Sequence, residues 1–350
     1  MRISLVTSLY RSERYVEEFC RRARTAITPI TADYEIVLVH DGSPDNALAV
    51  ARGLAEQDPN VIVVDLARNF GQHKALLEGM AEASGDYIFL CESDLEEEPE
   101  WIADFYALMQ EKDCDVVYGV QTATKRGPLY RLGSWIFYRT LNTFSGADFP
   151  RNVVTARLMS RRYLDAMLEY GEREVFLAGI WHMVGFVQLP HRVEKLDRSP
   201  TTYSPSKLVY LFVNAVTAFS VRPLMFISVA GVVLSALAML FILYLVWLKL
   251  GLGIASEGWA SVMAAILMVG GILLFFNGVM AIYIAKIFIE VKKRPRTTVR
   301  EIYRGRSVLR ESAARMGISD VLAAEVPAAE ETPEGMPADA EVVPERARAR

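Results

Sequence analysis

Over its first 120 residues the chain alternates unbroken apolar runs with amphipathic stretches. Ile3–Leu9, Glu35–His40, Val61–Leu66, Tyr87–Cys91 and Asp115–Gly119 predict strands. Between them, Glu13–Thr28, Asn46–Gln57, His73–Ala83 and Trp101–Gln110 predict helices. Strands that are apolar throughout belong in a parallel sheet with helices on both faces. The predicted fold is therefore α/β, and ligands of such sheets sit outside the carboxyl ends of the strands.

The pattern changes after residue 220. No charge falls between Arg222 and Lys249, or between Glu257 and Lys286. Each run exceeds the ~20 residues needed to cross a ~30 Å hydrocarbon core. Lys207 and Arg222 precede the first run, and Lys286, Lys292, Lys293, Arg294 and Arg296 follow the second. The connection holds only Lys249 and Glu257. The positive-inside rule then predicts a multi-pass protein of the inner (cytoplasmic) membrane, with both long ends cytoplasmic.

The expected organisation is a cytosolic domain (1–204), an amphipathic interfacial helix (205–222), membrane helices at 223–248 and 258–285, a basic juxtamembrane segment (286–315) and a disordered tail (316–350). The tail is rich in Ala, Glu and Pro, a composition that cannot build a core. Leu129–Phe144 and Ser206–Ser220 each read as a helix lying in the headgroup plane, with core packing as the competing reading.

Composition narrows the class. The 350 residues are 52% hydrophobic and 23% charged, with a net charge of -4. That excludes a wholly disordered chain and argues against a nucleic-acid binder. The charge is uneven: residues 286–315 hold ten basic and three acidic residues. A basic block directly after an apolar run is a membrane signal, suited to anionic headgroups. The three cysteines, Cys20, Cys91 and Cys114, show no Cys-x-x-Cys spacing, so neither a disulfide framework nor a zinc ribbon is expected.

Candidate chemistry clusters at predicted strand ends. Strand one ends in Tyr10-Arg11-Ser12-Glu13, strand two in His40-Asp41-Gly42-Ser43, strand three near Arg68-Asn69-Phe70-Gly71 and strand four in Glu92-Ser93-Asp94. Each alone is ordinary turn or cap chemistry; together, at successive strand ends, they describe one crevice. The glycine patterns of dinucleotide folds and P-loops are absent. Carboxylates without phosphate-cradling glycines suggest a divalent cation as phosphate partner, Mg²⁺ or Mn²⁺.

These residues carry a resemblance. The segment Val39-His40-Asp41-Gly42-Ser43-Pro44-Asp45, the run from Leu66 to Lys74, Ser84-Gly85-Asp86, the run from Glu92 to Glu100, and Asp115-Val116-Val117-Tyr118-Gly119 occur in order. Leu158-Met159-Ser160-Arg161-Arg162 and the apolar hairpin extend the series. In this the chain resembles the family 2 glycosyltransferases of the GT-A fold, and within them the polyprenyl-phosphate glycosyltransferases, over roughly residues 2–300.

The resemblance implies roles. Asp41 would hold the nucleotide base or ribose, with Tyr10, Glu13, Ser43, Arg68 and Lys74 completing the nucleotide-sugar site. Glu92 and Asp94 would bind the metal and the pyrophosphate, and Asp94 and Arg157 would be catalytic. Arg157 and Arg198 would meet the acceptor phosphate, as suits a guanidinium. The chain departs from the pattern at His40 and Glu92, where the family usually has Asp, and at Thr155, where many relatives carry an acidic residue. The basic loop appears as Arg198-Ser199-Pro200-Thr201-Thr202-Tyr203, without its lysine.

The implied activity is metal-dependent, inverting transfer of one sugar from a nucleotide-sugar, expected to be a UDP-sugar, to a polyprenyl phosphate at the cytoplasmic membrane face. A homo-oligomer is compatible with this organisation. The rival expectations are transfer to a saccharide acceptor or a growing polymer, and a non-catalytic protein that binds sugar nucleotides.

Overall fold

A computed structural model describes residues 1–121, 152–195, 222–252 and 258–305, together with Arg139, Thr143 and Thr217. Arg198, both candidate interfacial helices apart from those three single residues, and the tail at 316–350 lie outside the described residues. Residues 1–305 form one compact unit.

An eight-stranded sheet runs through this unit: β1 (Ile3–Leu9), β2 (Tyr34–His40), β3 (Val61–Leu66), β4 (Tyr87–Leu90), β5 (Val116–Gln121), β6 (Val153–Ser160), β7 (Gln188–Val193) and β8 (Val299–Arg304). Their spatial order is β7-β5-β6-β4-β1-β2-β3-β8. The central strands β4, β1, β2 and β3 are mutually parallel, as the continuous apolar runs require. β6 enters antiparallel between β4 and β5, and β8 pairs antiparallel with β3 at the sheet edge.

Helices cover both faces. The helices α1 (Glu13–Ile27), α2 (Ala47–Gln57) and α4 (Trp101–Lys112) bury Val16, Phe19, Ala51 and Phe105 against one face. On the other, α3 (Gln72–Glu82), α5 (Arg161–Leu168) and α6 (Leu177–Met183) bury Leu76, Met80, Leu164 and Ile180. The α3 helix lies so close to the sheet that a Cβ at Gly79 would stand 2.5 Å from Val39 and 2.7 Å from Val6.

Two further helices, α7 (Arg222–Leu252) and α8 (Trp259–Val291), are long and apolar enough to cross a membrane. The most apolar stretch of each is wholly unburied, which separates them from the core helices of a soluble protein.

Two expected boundaries need correction. The sheet does not end at residue 204, because β8 joins it from beyond both apolar helices. The segment 286–315 is likewise not simply a basic patch for lipid headgroups. Its first residues complete α8, Val299–Arg304 is a strand, and Arg296, Arg300 and Arg304 bond to Glu172, Asp65 and Glu82.

Candidate active site

Because the central strands are parallel, their carboxyl ends share one rim, where three acidic side chains gather around one ammonium and Asp94 stands in the same turn. Glu92 accepts from Lys195 Nζ at 2.7 Å, from Gln72 Nε2 at 2.9 Å and from the Thr155 hydroxyl at 3.0 Å. Lys195 also stands 3.6 Å from Glu96 and 3.9 Å from Glu97. Glu97 is fully buried and accepts the amides of Thr155 at 2.8 Å and Glu92 at 3.2 Å. Asp94 accepts the Glu96 amide at 2.9 Å.

These partners set the charge balance. Burial opposes ionisation of Glu92, but the charge and hydrogen bond of Lys195, with the bonds from Gln72 and Thr155, hold its pKa below the ordinary carboxylate value. Burial, reinforced by repulsion from Glu92, pushes Glu97 up to about 8. Burial also raises Asp94, with Glu92 adding to the effect. One ammonium therefore does not neutralise the cluster.

Sequence reasoning missed Lys195. The available signal was its place two residues beyond β7, which runs parallel to β5 and so delivers Lys195 to the same rim. Thr155 bonds to the carboxylate of Glu92, so two of the three departures from the family pattern are in direct contact.

The other half of the rim is built by interlocked turns. Asp41 is 2% exposed, and its two carboxylate oxygens accept the amides of Phe70 at 2.7 Å and Gly71 at 3.0 Å. Both oxygens thereby organise the turn after β3. Gly42 has φ +57° and presses on that turn; a Cβ there would lie 2.4 Å from the Asn69 nitrogen, which only glycine permits.

The Ser43 hydroxyl accepts from the Arg11 amide at 2.7 Å and donates to Asp45 at 2.5 Å. Glu13 accepts the Asn46 amide at 3.1 Å, while its own amide donates to Asp45 at 2.9 Å. Tyr10 is exposed beside Arg11. Arg68 lies over the Phe70 ring, 4.2 Å from its centroid, and Lys74 sits in the first turn of α3.

Arg157 is placed differently from expectation. It is 2% exposed, its guanidinium lies against the Trp181 ring 3.0 Å from the centroid, and Nε donates to the Thr155 carbonyl at 3.4 Å. The cause is register: β6 alternates, so Arg157 faces the same side as Met159, into the core under α5 and α6. Burial lowers its pKa to about 9. In this conformation Trp181, not solvent, covers the cation.

The apolar helix α8 is tied to this rim. Glu290 near the end of α8 accepts the amides of Arg173 at 2.7 Å and Glu174 at 3.4 Å, and Lys286 pairs with Glu174 at 3.1 Å. The same loop reaches α3, where His73 Nδ1 donates to the Val175 carbonyl at 3.3 Å and its ring meets Phe176 edge-on. Next to His73, Gln72 holds Glu92.

The residues suit a divalent cation only as a site completed by substrate. Among the described residues no group of three or more His, Cys, Asp or Glu is arranged to hold a metal. The surplus negative charge around Glu92 and Asp94 fits a cation held by one or two carboxylates with phosphates supplying the remaining oxygens.

The mostly parallel sheet with an acidic carboxyl-end rim is the architecture expected of the GT-A glycosyltransferases. The profile for Glycosyl transferase family 2 matches residues 4–168. A Mycobacterium tuberculosis (strain CDC 1551 / Oshkosh) protein whose name places it among the glycosyltransferases is 41% identical over 90% of this chain and 92% of its own. The prophage bactoprenol glucosyl transferase homolog of Escherichia coli (strain K12) is 30% identical over 86% of this chain and 99% of its own. The undecaprenyl-phosphate 4-deoxy-4-formamido-L-arabinose transferase of Pseudomonas fluorescens (strain Pf0-1) is 28% identical over 87% and 90%. The chain belongs to the family 2 glycosyltransferases, in the group resembling enzymes that act on polyprenyl phosphates.

Proposed function

We propose that the protein transfers a single sugar from a nucleotide-sugar, with UDP as the expected nucleotide, to a polyprenyl phosphate at the cytoplasmic membrane face. The observation that carries this reading is the unbroken set of contacts from α8 through the 172–176 loop and the start of α3 to Glu92. It supports a donor site held close to the apolar helix α8. The sugar is not inherited from the relatives, since those two named enzymes carry different ones.

In the reaction an acceptor phosphate oxygen attacks the anomeric carbon and forms the new C–O bond. The bond to the nucleoside diphosphate breaks on the opposite face, inverting the centre. The attacking oxygen is already anionic, so no strong base is required. Glu92 and Asp94 would hold Mg²⁺ or Mn²⁺, which when bound neutralises the leaving pyrophosphate as a Lewis acid. Lys195 holds the carboxylates in place against their mutual repulsion. The turns tied by Asp41, Ser43 and Glu13 shape the nucleotide end.

The deciding assay offers radiolabelled nucleotide-sugars to the full chain with undecaprenyl phosphate and either cation. Label in an extractable lipid is the expected result. Label in polymer supports a polymerase, and no label supports a binding protein. Reporter fusions after Arg315 should be cytoplasmic and those near Gly253 on the opposite side; a tail on the far side overturns the topology.

A further inference from the structure

The strand that returns from the membrane hairpin reaches the nucleotide turn through three side chains. β8 pairs with β3 in a register that matches Asp65 to Glu301 but Leu66 to Val299, leaving Arg300 as the extra residue of a bulge. Bulges re-aim a side chain, often beside a functional site. Here the bulge turns Arg300 over the end of β3, where its guanidinium donates to Asp65 at 3.0 Å and to the Ala67 carbonyl at 2.9 Å.

Asp65 is 1% exposed, and its other oxygen lies 2.7 Å from His40 Nδ1. His40 Nε2 in turn accepts the Ser43 amide at 3.0 Å. Since Nε2 is the acceptor, the ring proton resides on Nδ1 and points at Asp65; the hydrogen bonds assign this tautomer. His40 stands where the family usually has Asp, and an Asp there would not bridge Asp65 to an amide donor in this way.

We infer that Arg300, acting through Asp65 and His40, is a positioning residue for the donor nucleotide: it fixes the Gly42–Ser43 turn from the strand beyond the membrane helices. This rests on the reading of that turn as the nucleotide end of the site. Arg300 itself is more than half exposed, so its removal should leave the fold intact while loosening the turn. Partners that orient a binding group in this indirect manner typically matter about tenfold or more.

The test is titration calorimetry of the full-length, detergent-solubilised chain with UDP, GDP and CDP, alongside thermal unfolding. Arg300→Ala should weaken binding of whichever nucleotide the wild type binds by about tenfold, in addition to the lower unfolding midpoint that leaving the buried Asp65 without its cation produces. Arg300→Lys, which keeps a charge on Asp65 but cannot also reach Ala67, should lose less and replaces Arg300→Ala if that variant does not fold. His40→Gln should weaken binding similarly, and the double variant should be no worse than either single one, as coupled residues behave. A merely structural role would lower the midpoint and leave affinity alone. Wild-type affinity in Arg300→Ala, or additive losses, overturns the relay while the donor site stands. A wild-type chain that binds none of the three nucleotides overturns the donor-site reading, and this inference with it.

Discussion

The two ends of the sheet treat buried carboxylates in opposite ways. At the amino end Glu35, 1% exposed, accepts from the Ser4 hydroxyl at 2.6 Å, the Ser84 amide at 2.5 Å and hydroxyl at 2.9 Å, and Arg2 at 2.7 Å. One charge there meets four donors and ties β1 and β2 to the turn before β4. At the carboxyl end Glu92, Glu96 and Glu97 share Lys195 in the same turn as Asp94, and Asp94 and Glu97 resist ionisation. The first arrangement is closed and serves the fold. The second leaves negative charge uncompensated, a pattern characteristic of functional sites.

Removing a carboxylate should therefore have opposite consequences at the two ends. Glu35→Ala orphans the buried Ser4 hydroxyl at about 1–3 kcal/mol and releases three less buried donors, so denaturant unfolding should show a loss of about that size with nucleotide affinity retained. Asp94→Asn relieves repulsion, so stability should hold or rise while turnover falls about 100-fold or more, the usual cost of losing a charge-stabilising group. A stable Glu35→Ala variant, or an Asp94→Asn variant that transfers sugar normally, breaks the comparison.

Asp41 sharpens the comparison, since it is a carboxyl-end acid that, like Glu35, has both oxygens hydrogen-bonded, in its case to backbone amides. Asp41→Asn keeps one acceptor and loses the other. Steady-state kinetics should show a donor KM raised several-fold with kcat nearly unchanged, the signature of weakened binding. A fall in kcat at constant KM would place Asp41 with Asp94 instead.

How much of this was legible in the sequence follows from the same physics. The strands β1 to β5 were readable because burial on both faces demands continuous apolar runs. β6 escaped because Thr155 and Arg157 interrupt it, one facing the acidic rim and the other hidden under Trp181. β7 escaped because Pro190 argues against a strand, yet β7 is an edge, where proline is tolerated. β8 reads as Val-Arg-Glu-Ile-Tyr-Arg, charged as edge strands are, and so passed for a basic membrane-surface segment. The acidic residues of the site were visible as motifs. Their partners Lys195 and Gln72 were not, nor was the Arg300–Asp65 pair, because pairing depends on which strands the topology makes neighbours.

The smallest expected effect concerns pH at the carboxyl end. His73 is held between the Val175 carbonyl and the Phe176 ring. The side chain keeps solvent exposure, yet desolvation by the 172–176 loop lowers its pKa below the ordinary histidine value, and the bond to Val175 only partly opposes this. Between the lowered folded value and the ordinary unfolded one, the unfolded chain binds a proton that the folded chain does not. Stability in that window rises with pH. The contribution is complete above the unfolded pKa and is lost as pH falls through the folded one. Acidifying the full chain from about pH 7 to about pH 5 should lower its unfolding midpoint, with other groups adding their own slopes. His73→Phe keeps the ring against Phe176 and removes the titration, so the difference between the two pH profiles isolates the histidine. The wild type should lose more stability on acidification than the variant. Parallel profiles would show that the contacts with Val175 and Phe176 leave the His73 proton equilibrium unperturbed.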